Sequence, residues 1–277
     1  MTEANRTILI TGCSSGIGHH AALGLKGLGW RVFAAARKEA DVARLVDEGL
    51  ESVRLDYADE ESITTALADV LSRTGGRLDA LFNNGSYAQA GAIEDVDTAA
   101  MRAQFEANFF GWHDLTRRVI PVMRRQGSGR IVFCSSVLGF VGARYRGAYV
   151  ASKHAVEGYA DSLRLELHGT GISVVLIEPG PIASNFRQNA VDNIHRTIDI
   201  DGSVHSDSYR RDLSERPDGQ THTPFRLGPD AVFAKLVKAL DSRNPKPRYR
   251  VTVPTHIAAV LKRILSTRML DRVVRSG

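Results

Sequence analysis

The sequence has little cysteine and no long apolar run. Two cysteines among 277 residues cannot form a disulfide framework, so a reducing compartment is expected. The longest run of valine, leucine and isoleucine is Val174–Ile177, far below the ~20 apolar residues that span a bilayer. Residues 2–6 lead directly into the apolar segment Thr7–Ile10, so no secretion signal is predicted. We therefore expect a soluble, cytoplasmic protein without a transmembrane segment.

Acidic residues are scarce at the C-terminal end. Between Arg243 and Gly277 the sequence holds nine lysines and arginines and one acidic residue, Asp271, a net charge of +8. The whole chain carries +5, so the basic surplus is local. A basic segment of this kind is most often a solvated face, and we predict no nucleic-acid partner. Weak contact with a membrane surface is the alternative that this segment leaves open.

The histidines and cysteines show no metal-ligand spacing. His19 and His20 are adjacent, and adjacent helix positions do not share a face. Neither Cys13 nor Cys134 has a second cysteine at the C-x-x-C spacing of zinc sites. No metal site is predicted.

Short apolar runs alternate with helical periodicity along the chain. Most runs are apolar at consecutive positions, as in strands buried on both faces of a parallel sheet. Between them, residues 63–71 place apolar side chains at i, i+3, i+4, i+7 and i+8 of a helix. The alternation predicts a doubly wound α/β fold, a mostly parallel sheet with helices on both faces. The predicted strands are Ile8–Ile10, Val32–Ala36, Val53–Leu55, Leu78–Phe82, Ile131–Cys134, Val174–Ile177 and Tyr249–Val253.

Two segments depart from this alternation. Residues 181–227 are polar, show no clear period and contain several turn formers, which predicts a lid or substrate-loop insertion. Residues 254–277 are predicted as a C-terminal helical segment, in which Ile257–Leu265 carries an apolar stripe. We expect this stripe to cap a pocket or to pack on a partner subunit. No repeat or linker divides the chain, so residues 1–277 are predicted to form a single domain.

A glycine-rich turn with the spacing G-x-x-x-G-x-G follows the first predicted strand and precedes a helix. Glycine permits positive φ and close approach of the backbone to an anion, and the helix N-terminus supplies free N–H groups. An ordinary tight turn is the alternative. The turn predicts a site for a dinucleotide pyrophosphate, formed by Gly12, Ser14, Ser15, Gly16, Ile17 and Gly18.

The same turn contains the G-x-S-x-G pattern of hydrolase nucleophile elbows, with Ser14 at its centre. A hydrolase of that kind requires an oxyanion-hole loop earlier in the chain. Only eleven residues precede Gly12, too few for a strand and such a loop. We therefore reject the hydrolase hypothesis.

The end of the second predicted strand indicates which dinucleotide binds. An acidic residue at that place binds the ribose 2′-hydroxyl of NAD, whereas arginine accommodates the 2′-phosphate of NADP. The strand ends at Ala36 and is followed by Arg37, with no acid before Glu39. We predict NADP in preference to NAD, with Arg37 at the 2′-phosphate. An exposed basic turn is the alternative.

Two predicted helices carry polar residues on an otherwise apolar face. In the first, Asn108 interrupts a stripe of Met101, Phe105, Trp112, Leu115 and Val119. A buried amide without partners costs on the order of 1–3 kcal/mol. Asn108 is therefore either a core amide that has its hydrogen-bond partners or a residue of the site.

The second helix begins its inward stripe with Tyr149 and Lys153, four residues apart and thus on one face. A lysine cation beside a tyrosine favours the phenolate and lowers the tyrosine pKa from its ordinary value of ~10. The pair is a candidate proton donor and acceptor for alcohol and carbonyl chemistry. The stripe continues with Val156, Ala160, Leu163 and Leu167.

In this order the motifs resemble those of the short-chain dehydrogenase/reductase family over the chain up to about residue 185. The thirteen residues from Ser136 to Tyr149 are similar to the spacing in its hydroxysteroid and retinol dehydrogenase-like branch. Two positions depart, because the Asn-Asn-Ala-Gly of the family reads Asn-Asn-Gly-Ser here, and the departure that matters is Ser86 in place of a glycine. The matching residues are Thr11–Gly18, Asp56, Asn83–Gly85, Asn108, Ser135, Ser136, Tyr149, Lys153 and Pro179–Ser184.

The resemblance implies a Rossmann fold and a catalytic group of four residues. Tyr149 would be the general acid in reduction and the base in oxidation. Lys153 would hold the nicotinamide ribose and depress the pKa of the tyrosine. Ser136 would hydrogen-bond the substrate oxygen, and Asn108 would hold a water in a proton relay.

The resemblance also implies cofactor contacts beyond the glycine turn. Asp56 would contact the adenine and Asn83 would lie near the adenine ribose. After the sixth strand, Ile182 and Ser184 would contact the nicotinamide carboxamide, in a loop that begins with Pro179 and Gly180. Homodimers or homotetramers that pair the helices of Asn108 and Tyr149 are common in the family, and an assembly of this kind is expected.

We therefore predict an NADP(H)-dependent oxidoreductase that transfers hydride between the nicotinamide and a small-molecule carbonyl or secondary alcohol. Phe140, Val141, Phe186 and Phe225 predict an apolar cavity for a steroid-, retinoid- or lipid-like substrate, although ordinary packing would place them equally well. A non-catalytic NADP-binding redox sensor is the alternative. The presence of all four catalytic residues disfavours it.

Overall fold

The computed structural model describes residues 6–214 and 225–276, in which seven strands form one sheet with every neighbouring pair parallel. The strand order is β3-β2-β1-β4-β5-β6-β7, which confirms the predicted doubly wound fold. The order reverses beside β1, and a crevice opens at the carboxyl ends of strands at such a point. The strands are β1 (Thr7–Ile10), β2 (Arg31–Ala36), β3 (Glu51–Arg54), β4 (Ala80–Asn83), β5 (Gly129–Cys134), β6 (Ile172–Glu178) and β7 (Arg248–Arg250).

Helices cover both faces of the sheet. A π-helical turn (Glu106–Phe110) joins α4 to α5, and a short 3₁₀ helix (Val137–Gly139) follows β5. No helix within residues 6–214 and 225–276 is long and apolar enough to cross a membrane. The helices are α1 (Gly16–Gly27), α2 (Glu39–Asp47), α3 (Glu60–Arg73), α4 (Thr98–Phe105), α5 (Gly111–Gln126), α6 (Gly147–Glu166), α7 (Phe186–Thr197), α8 (Ser206–Ser214), α9 (Pro229–Asp241), α10 (Val253–Ile264) and α11 (Thr267–Ser276).

The main core lies between the sheet and its helices. All four residues of β1 are buried, and Phe82 and Phe133 of the neighbouring central strands are completely so. Each fully buried side chain of this size contributes about 1.5–3 kcal/mol of transfer free energy. The consecutive apolar positions of these strands are therefore explained by helices that bury both faces.

The last strand ends earlier than predicted. The sequence predicted Tyr249–Val253, but β7 spans Arg248–Arg250 and α10 begins at Val253. Thr252 has an extended backbone and precedes the helix, and Pro254 lies in its first turn. Proline favours that position because its missing N–H has no partner in the first turn. Val251 therefore lies in the segment that leads to α10, and Val253 is the first residue of that helix.

The segment 181–227 is more helical than its sequence suggested. The structure places α7 and α8 within it, and residues 215–224 lie outside the described part of the chain. The inward positions of α7 include Asn193 beside Ala190 and Ile194, so the apolar period is weak. These helices bury Ile194 and Tyr209 in a second apolar cluster that also contains Tyr149.

The π-helical turn changes which residues before Asn108 face the core. Gln104 and Asn108 are completely buried, whereas Met101 and Phe105 are only half-buried. A π turn contains an additional residue, which rotates the preceding helix relative to the following one. The prediction of one continuous stripe was therefore wrong before Asn108 and confirmed at Trp112, Leu115 and Val119, which are buried.

Candidate active site

A cavity of about 540 Å³ opens at the carboxyl ends of the central strands. Twelve residues predicted for the site line it, and five others, Gly18, Arg37, Asp56, Asn83 and Asn108, do not. The cavity therefore joins the glycine turn to the tyrosine and lysine of α6. The twelve are Gly12, Ser14, Ser15, Gly16, Ile17, Ser136, Tyr149, Lys153, Pro179, Gly180, Ile182 and Ser184.

The glycine turn has the geometry of an anion cradle. Gly12 and Gly16 have φ of +68° and +58°, which L side chains rarely adopt. At Gly18 a Cβ would lie 2.3 Å from the Gly12 carbonyl oxygen, so any side chain there would fill the turn. The N-terminus of α1 lies behind the turn and favours negative charge. The turn therefore fits a dinucleotide pyrophosphate.

Arg37 lies beside this turn at an open surface. It is exposed immediately after β2, and the Cys13 amide donates to the carbonyl of Ala35 in that strand at 2.9 Å. On α2, Arg44 donates to the Ser14 carbonyl at 2.6 Å. Arg37 therefore follows the end of β2, whereas Arg44 borders the glycine turn and is ion-paired with Asp41 and Glu48. Asp56 lies after β3, where one carboxylate oxygen accepts from the Ala58 amide.

Two consecutive asparagines at the end of β4 have different surroundings: the side chain of Asn83 lies in the core and that of Asn84 lines the cavity. Asn83 is completely buried, and its side chain is hydrogen-bonded to Tyr57 and Thr116 at 2.8 and 3.1 Å. The next amide, Asn84, lines the cavity and donates to the Thr11 carbonyl. The side chain of Asn83 is thus hydrogen-bonded within the core. Only the backbone of Asn83 is left to contact a ribose.

The serine at position 86 fits its turn. Within the described residues, Tyr145 and Phe225 are the non-glycine residues with left-handed φ, so Ser86 needs no glycine-like conformation. At Gly85 a Cβ would lie 3.1 Å from the Gly12 nitrogen, a tight contact that glycine avoids. The departure from the family pattern at Ser86 therefore leaves the cavity wall intact.

Lys153 is held rigidly at the floor of the cavity. Its ammonium donates to the Cys134 carbonyl at 2.8 Å and lies 4.3 Å from the centroid of the Trp112 ring. Trp112 in turn donates to the Gly85 carbonyl at 2.8 Å. Only 1% of Lys153 is exposed, and this burial lowers its pKa to about 8. The cation is thus fixed 5.6 Å from the centroid of the Tyr149 ring.

The pKa of Tyr149 moves in the direction opposite to the sequence prediction. Burial raises the pKa of the phenol above its ordinary value, and a hydrogen bond with Ser136 offsets part of that increase. The predicted lowering by Lys153 therefore does not dominate, because desolvation disfavours the phenolate more strongly. The phenol remains protonated at neutral pH and is a proton donor beside Ser136.

Asn108 has its hydrogen-bond partners within the protein. Its carbonyl oxygen accepts from the Tyr87 amide at 3.1 Å, and its amide donates to the Tyr87 carbonyl at 2.9 Å. The amide also lies 3.4 Å from the Ser152 hydroxyl, which donates to the Tyr149 carbonyl. Asn108 thus ties the chain after β4 to the helix of Tyr149 without lining the cavity.

Sequence reasoning missed three arginines of the cavity. Arg146, Arg187 and Arg226 line it together with Lys153, and its lining includes no Asp or Glu. Arg146 precedes Tyr149 by about one helical turn, and this spacing was the sequence feature that could have placed it at the cavity. Arg187 and Arg226 come from the segment 181–227, whose path over the cavity the sequence did not indicate.

The predicted apolar wall is only partly present. Phe186 lines the cavity, and its ring lies 5.4 Å from that of Tyr149, between centroids. Phe140, Val141 and Phe225 do not line it, and neither does the stripe Ile257–Leu265. Val137, Leu138 and Ile182 supply the remaining apolar surface. The expectation that the C-terminal stripe caps the pocket was wrong, because α10 directs its large side chains to solvent.

The burial of Lys153 gives a testable dependence of stability on pH. The folded pKa of about 8 lies below the ordinary 10.5, so the buried ammonium destabilises the fold fully below pH 8 and not at all above pH 10.5. We expect Lys153→Met to raise the free energy of unfolding by about 2 kcal/mol at pH 7, after the lost hydrogen bond is subtracted. Chemical denaturation at several pH values measures this gain, which should disappear by pH 10.5. The same substitution at exposed Lys238 is the control, and a gain that is independent of pH would contradict the account.

Comparisons with known proteins identify the family of the chain. The short chain dehydrogenase family matches residues 6–195. The uncharacterized oxidoreductase YbbO of Escherichia coli (strain K12) is 42% identical over 98% of this chain and 94% of its own length. Retinol dehydrogenase 8 of Bos taurus is 33% identical over 90% of this chain and 82% of its own. The chain belongs to the short-chain dehydrogenase/reductase family, a class of oxidoreductases.

Solved structures place a nicotinamide cofactor in this fold. A variant of actinorhodin polyketide ketoreductase with NADPH has a TM-score of 0.73 and 28% identity, over 89% of this chain and 95% of that chain. Other structures that share the fold hold NAD or NADP. The comparisons therefore support a nicotinamide dinucleotide as the cofactor and leave its position and its 2′ substituent to be argued from this chain.

Proposed function

We propose that the protein is an NADP(H)-dependent oxidoreductase that interconverts a carbonyl compound and a secondary alcohol. The observation that carries this proposal is the placement of Ser136, Tyr149 and the rigid Lys153 cation at one end of a cavity whose other end is the glycine turn. When bound, the nicotinamide supplies or accepts the hydride. The protein supplies position and a proton.

Each residue has a distinct part in this proposal. The protonated Tyr149 phenol donates its proton to the carbonyl oxygen during reduction and accepts it back during oxidation. Ser136, hydrogen-bonded to the phenol, holds the same substrate oxygen. The ammonium of Lys153 binds the ribose hydroxyls and favours the phenolate left after transfer. Asn108 positions the start of α6 through Ser152, and its participation in a proton relay remains a prediction.

NADP is proposed in preference to NAD because Arg37 follows the end of β2 and no acidic residue lies between Ala36 and Lys38. Ala36 is the last residue of the strand, Arg37 follows it at the surface, and Arg44 reaches the Ser14 carbonyl. A 2′-phosphate would accept charge-assisted hydrogen bonds there. The arginines of the cavity suit the pyrophosphate of the same cofactor.

Arg37→Ala should remove the preference for the phosphorylated cofactor. Loss of a hydrogen bond to a charged group costs about 1.5–3 kcal/mol, so KM for NADPH should rise roughly ten- to hundredfold while KM for NADH stays unchanged. Steady-state kinetics with both cofactors measures this, with the exposed Arg124→Ala on α5 as the control. An equal rise in KM for NADPH and in KM for NADH would show that Arg37 does not contact the 2′ substituent.

We propose an apolar substrate, such as a steroid, a retinoid or another lipid-like carbonyl compound. The support is the apolar surface of Val137, Leu138 and Phe186 around Tyr149 and the likeness to retinol dehydrogenase 8. Initial rates with a panel of aldehydes, ketones and steroid or retinoid carbonyls, with NADPH and NADH in parallel, test it. Turnover of the apolar compounds with NADPH supports the proposal. Turnover of small polar ketones alone would contradict the substrate class and leave the reaction type standing.

A further inference from the structure

Helix α10 presents most of its large apolar side chains to solvent and its small ones to the protein. The buried positions of the helix are Thr255 and Ala259. A surface helix ordinarily turns its large aliphatic side chains toward the core, so the orientation is inverted here. The outward positions recur at spacings of four, three and four and are exposed by 50, 52, 58 and 69%: Val253, Ile257, Val260 and Ile264.

The following helix α11 adds apolar and basic residues. Met269 and Val273 are 50 and 45% exposed and lie one turn apart. From Val253 to Gly277 the sequence holds five basic residues and one acidic residue. The basic residues begin in the last turn of α10 and continue along α11: Lys262, Arg263, Arg268, Arg272 and Arg275. At about 3.6 residues per turn, Arg263 and Arg272 lie roughly a quarter turn from the apolar positions of their helices and border them. We call the exposed apolar residues of the two helices, Val253, Ile257, Val260, Ile264, Met269 and Val273, the tail face.

We propose that the tail face docks on the surface of a membrane that contains anionic lipids. A helix with an apolar face and a basic border lies in the plane of a bilayer interface, with aliphatic side chains among the acyl chains and cations at the headgroups. The tail face is purely aliphatic apart from Met269, which suits a hydrocarbon boundary. Its basic border requires an anionic counterpart.

The charge disfavours a second copy of the chain as the occupant. A two-fold interface would bring two identical basic borders together, and like charges repel at that separation. An anionic lipid surface instead gains attraction from each lysine or arginine near it. Charge complementarity therefore selects the membrane.

The buried side of α10, opposite the tail face, adjoins the cavity. A Cβ at Gly180, which lines the cavity, would lie 2.1 Å from the Thr252 hydroxyl oxygen and 2.8 Å from that of Thr255. Thr252 and Thr255 belong to the start of α10. Docking through this helix would therefore bring the cavity close to lipid.

Sedimentation with lipid vesicles tests the apolar part of the proposal on the whole protein. We expect binding to vesicles that contain phosphatidylglycerol, weak binding to phosphatidylcholine vesicles, and loss of binding at high salt. The triple variant Ile257→Gln, Val260→Gln, Ile264→Gln should not bind. These side chains are exposed, so its thermal stability should not fall. The control carries glutamine at Val46 and Leu165, which are 53 and 73% exposed elsewhere, and should bind like the wild type.

A second variant tests the charge. Replacing Arg263, Arg268 and Arg275 with glutamine should weaken vesicle binding on the order of a hundredfold, since each cation contributes ~1 kcal/mol. Glutamine at Arg102, Arg124 and Arg125, exposed on α4 and α5, removes equal charge and should not. Equal binding to both vesicle types, or binding that survives the tail variants, would overturn the proposal. So would a dimer that the apolar variant dissociates in size-exclusion chromatography without any vesicle binding.

Discussion

Replacing Tyr149 with phenylalanine should lower kcat about a thousandfold, because a positioned proton donor contributes roughly 10²–10⁴ to the rate. The ring is buried against Phe186, and phenylalanine keeps that packing. The substitution removes only the hydroxyl that bonds with Ser136. Binding of NADPH should therefore be preserved while turnover is lost, a separation that a general loss of structure would not give.

The matched control for Tyr149→Phe is Tyr159→Phe on the same helix. The Tyr159 hydroxyl lies 3.2 Å from the His113 ring and does not line the cavity. Its removal should leave kcat within about twofold, since the phenol that donates the proton is untouched. Cofactor binding, measured by fluorescence titration beside the kinetics, completes the comparison. A Tyr149→Phe enzyme that turned over at the wild-type rate would remove the tyrosine from the mechanism.

Gly18→Ala should disable cofactor binding. Its Cβ would lie 2.3 Å from the Gly12 carbonyl oxygen and 2.7 Å from the Asn84 amide nitrogen, so the backbone of the turn must shift. Overpacking of this kind costs about 1–3 kcal/mol of stability. Displacement of the amides that face the pyrophosphate should weaken NADPH binding ten- to hundredfold, roughly the value of one charge-assisted hydrogen bond.

Gly27→Ala provides the control in the same helix. A Cβ at Gly27 has nothing within 4 Å, and alanine favours the helix over glycine by up to about 1 kcal/mol. This variant should bind NADPH like the wild type and unfold at an equal or higher temperature. Calorimetric titration and thermal unfolding of both variants measure the contrast. Unchanged NADPH binding by Gly18→Ala would contradict the position of the pyrophosphate in the turn.

Sequence patterns alone predicted those features of the fold and site in which a residue type has a single structural role. The consecutive apolar residues of β1 predicted a buried parallel strand, and the glycine turn predicted positive φ at Gly12 and Gly16. Tyr149 and Lys153 share a helix face by spacing alone, and the structure brings both to the cavity. Each of these features depends on residues a few positions apart in the chain, and it can therefore be predicted from the sequence.

Features that depend on tertiary contacts escaped prediction. The raised pKa of Tyr149 results from burial under α7, and the π turn at Glu106–Phe110 inserts a residue into a regular period. The outward orientation of α10 was missed because a stripe of aliphatic residues predicts an amphipathic helix without stating which side faces the protein. The arginines at 187 and 226 reached the cavity through the fold of residues 181–227, which carries little periodicity.

The transfer of deuterium from NADPH that carries deuterium at both C4 positions of the nicotinamide tests the central claim most directly. The enzyme is incubated with the labelled cofactor and every carbonyl compound of the panel, apolar and polar, and the products are analysed by mass spectrometry. Hydride transfer predicts one deuterium on the carbinol carbon of the product alcohol, formed about a thousandfold more slowly when Tyr149 is phenylalanine. Tight binding of NADPH without label in any product would contradict the account and favour a non-catalytic NADP-binding sensor.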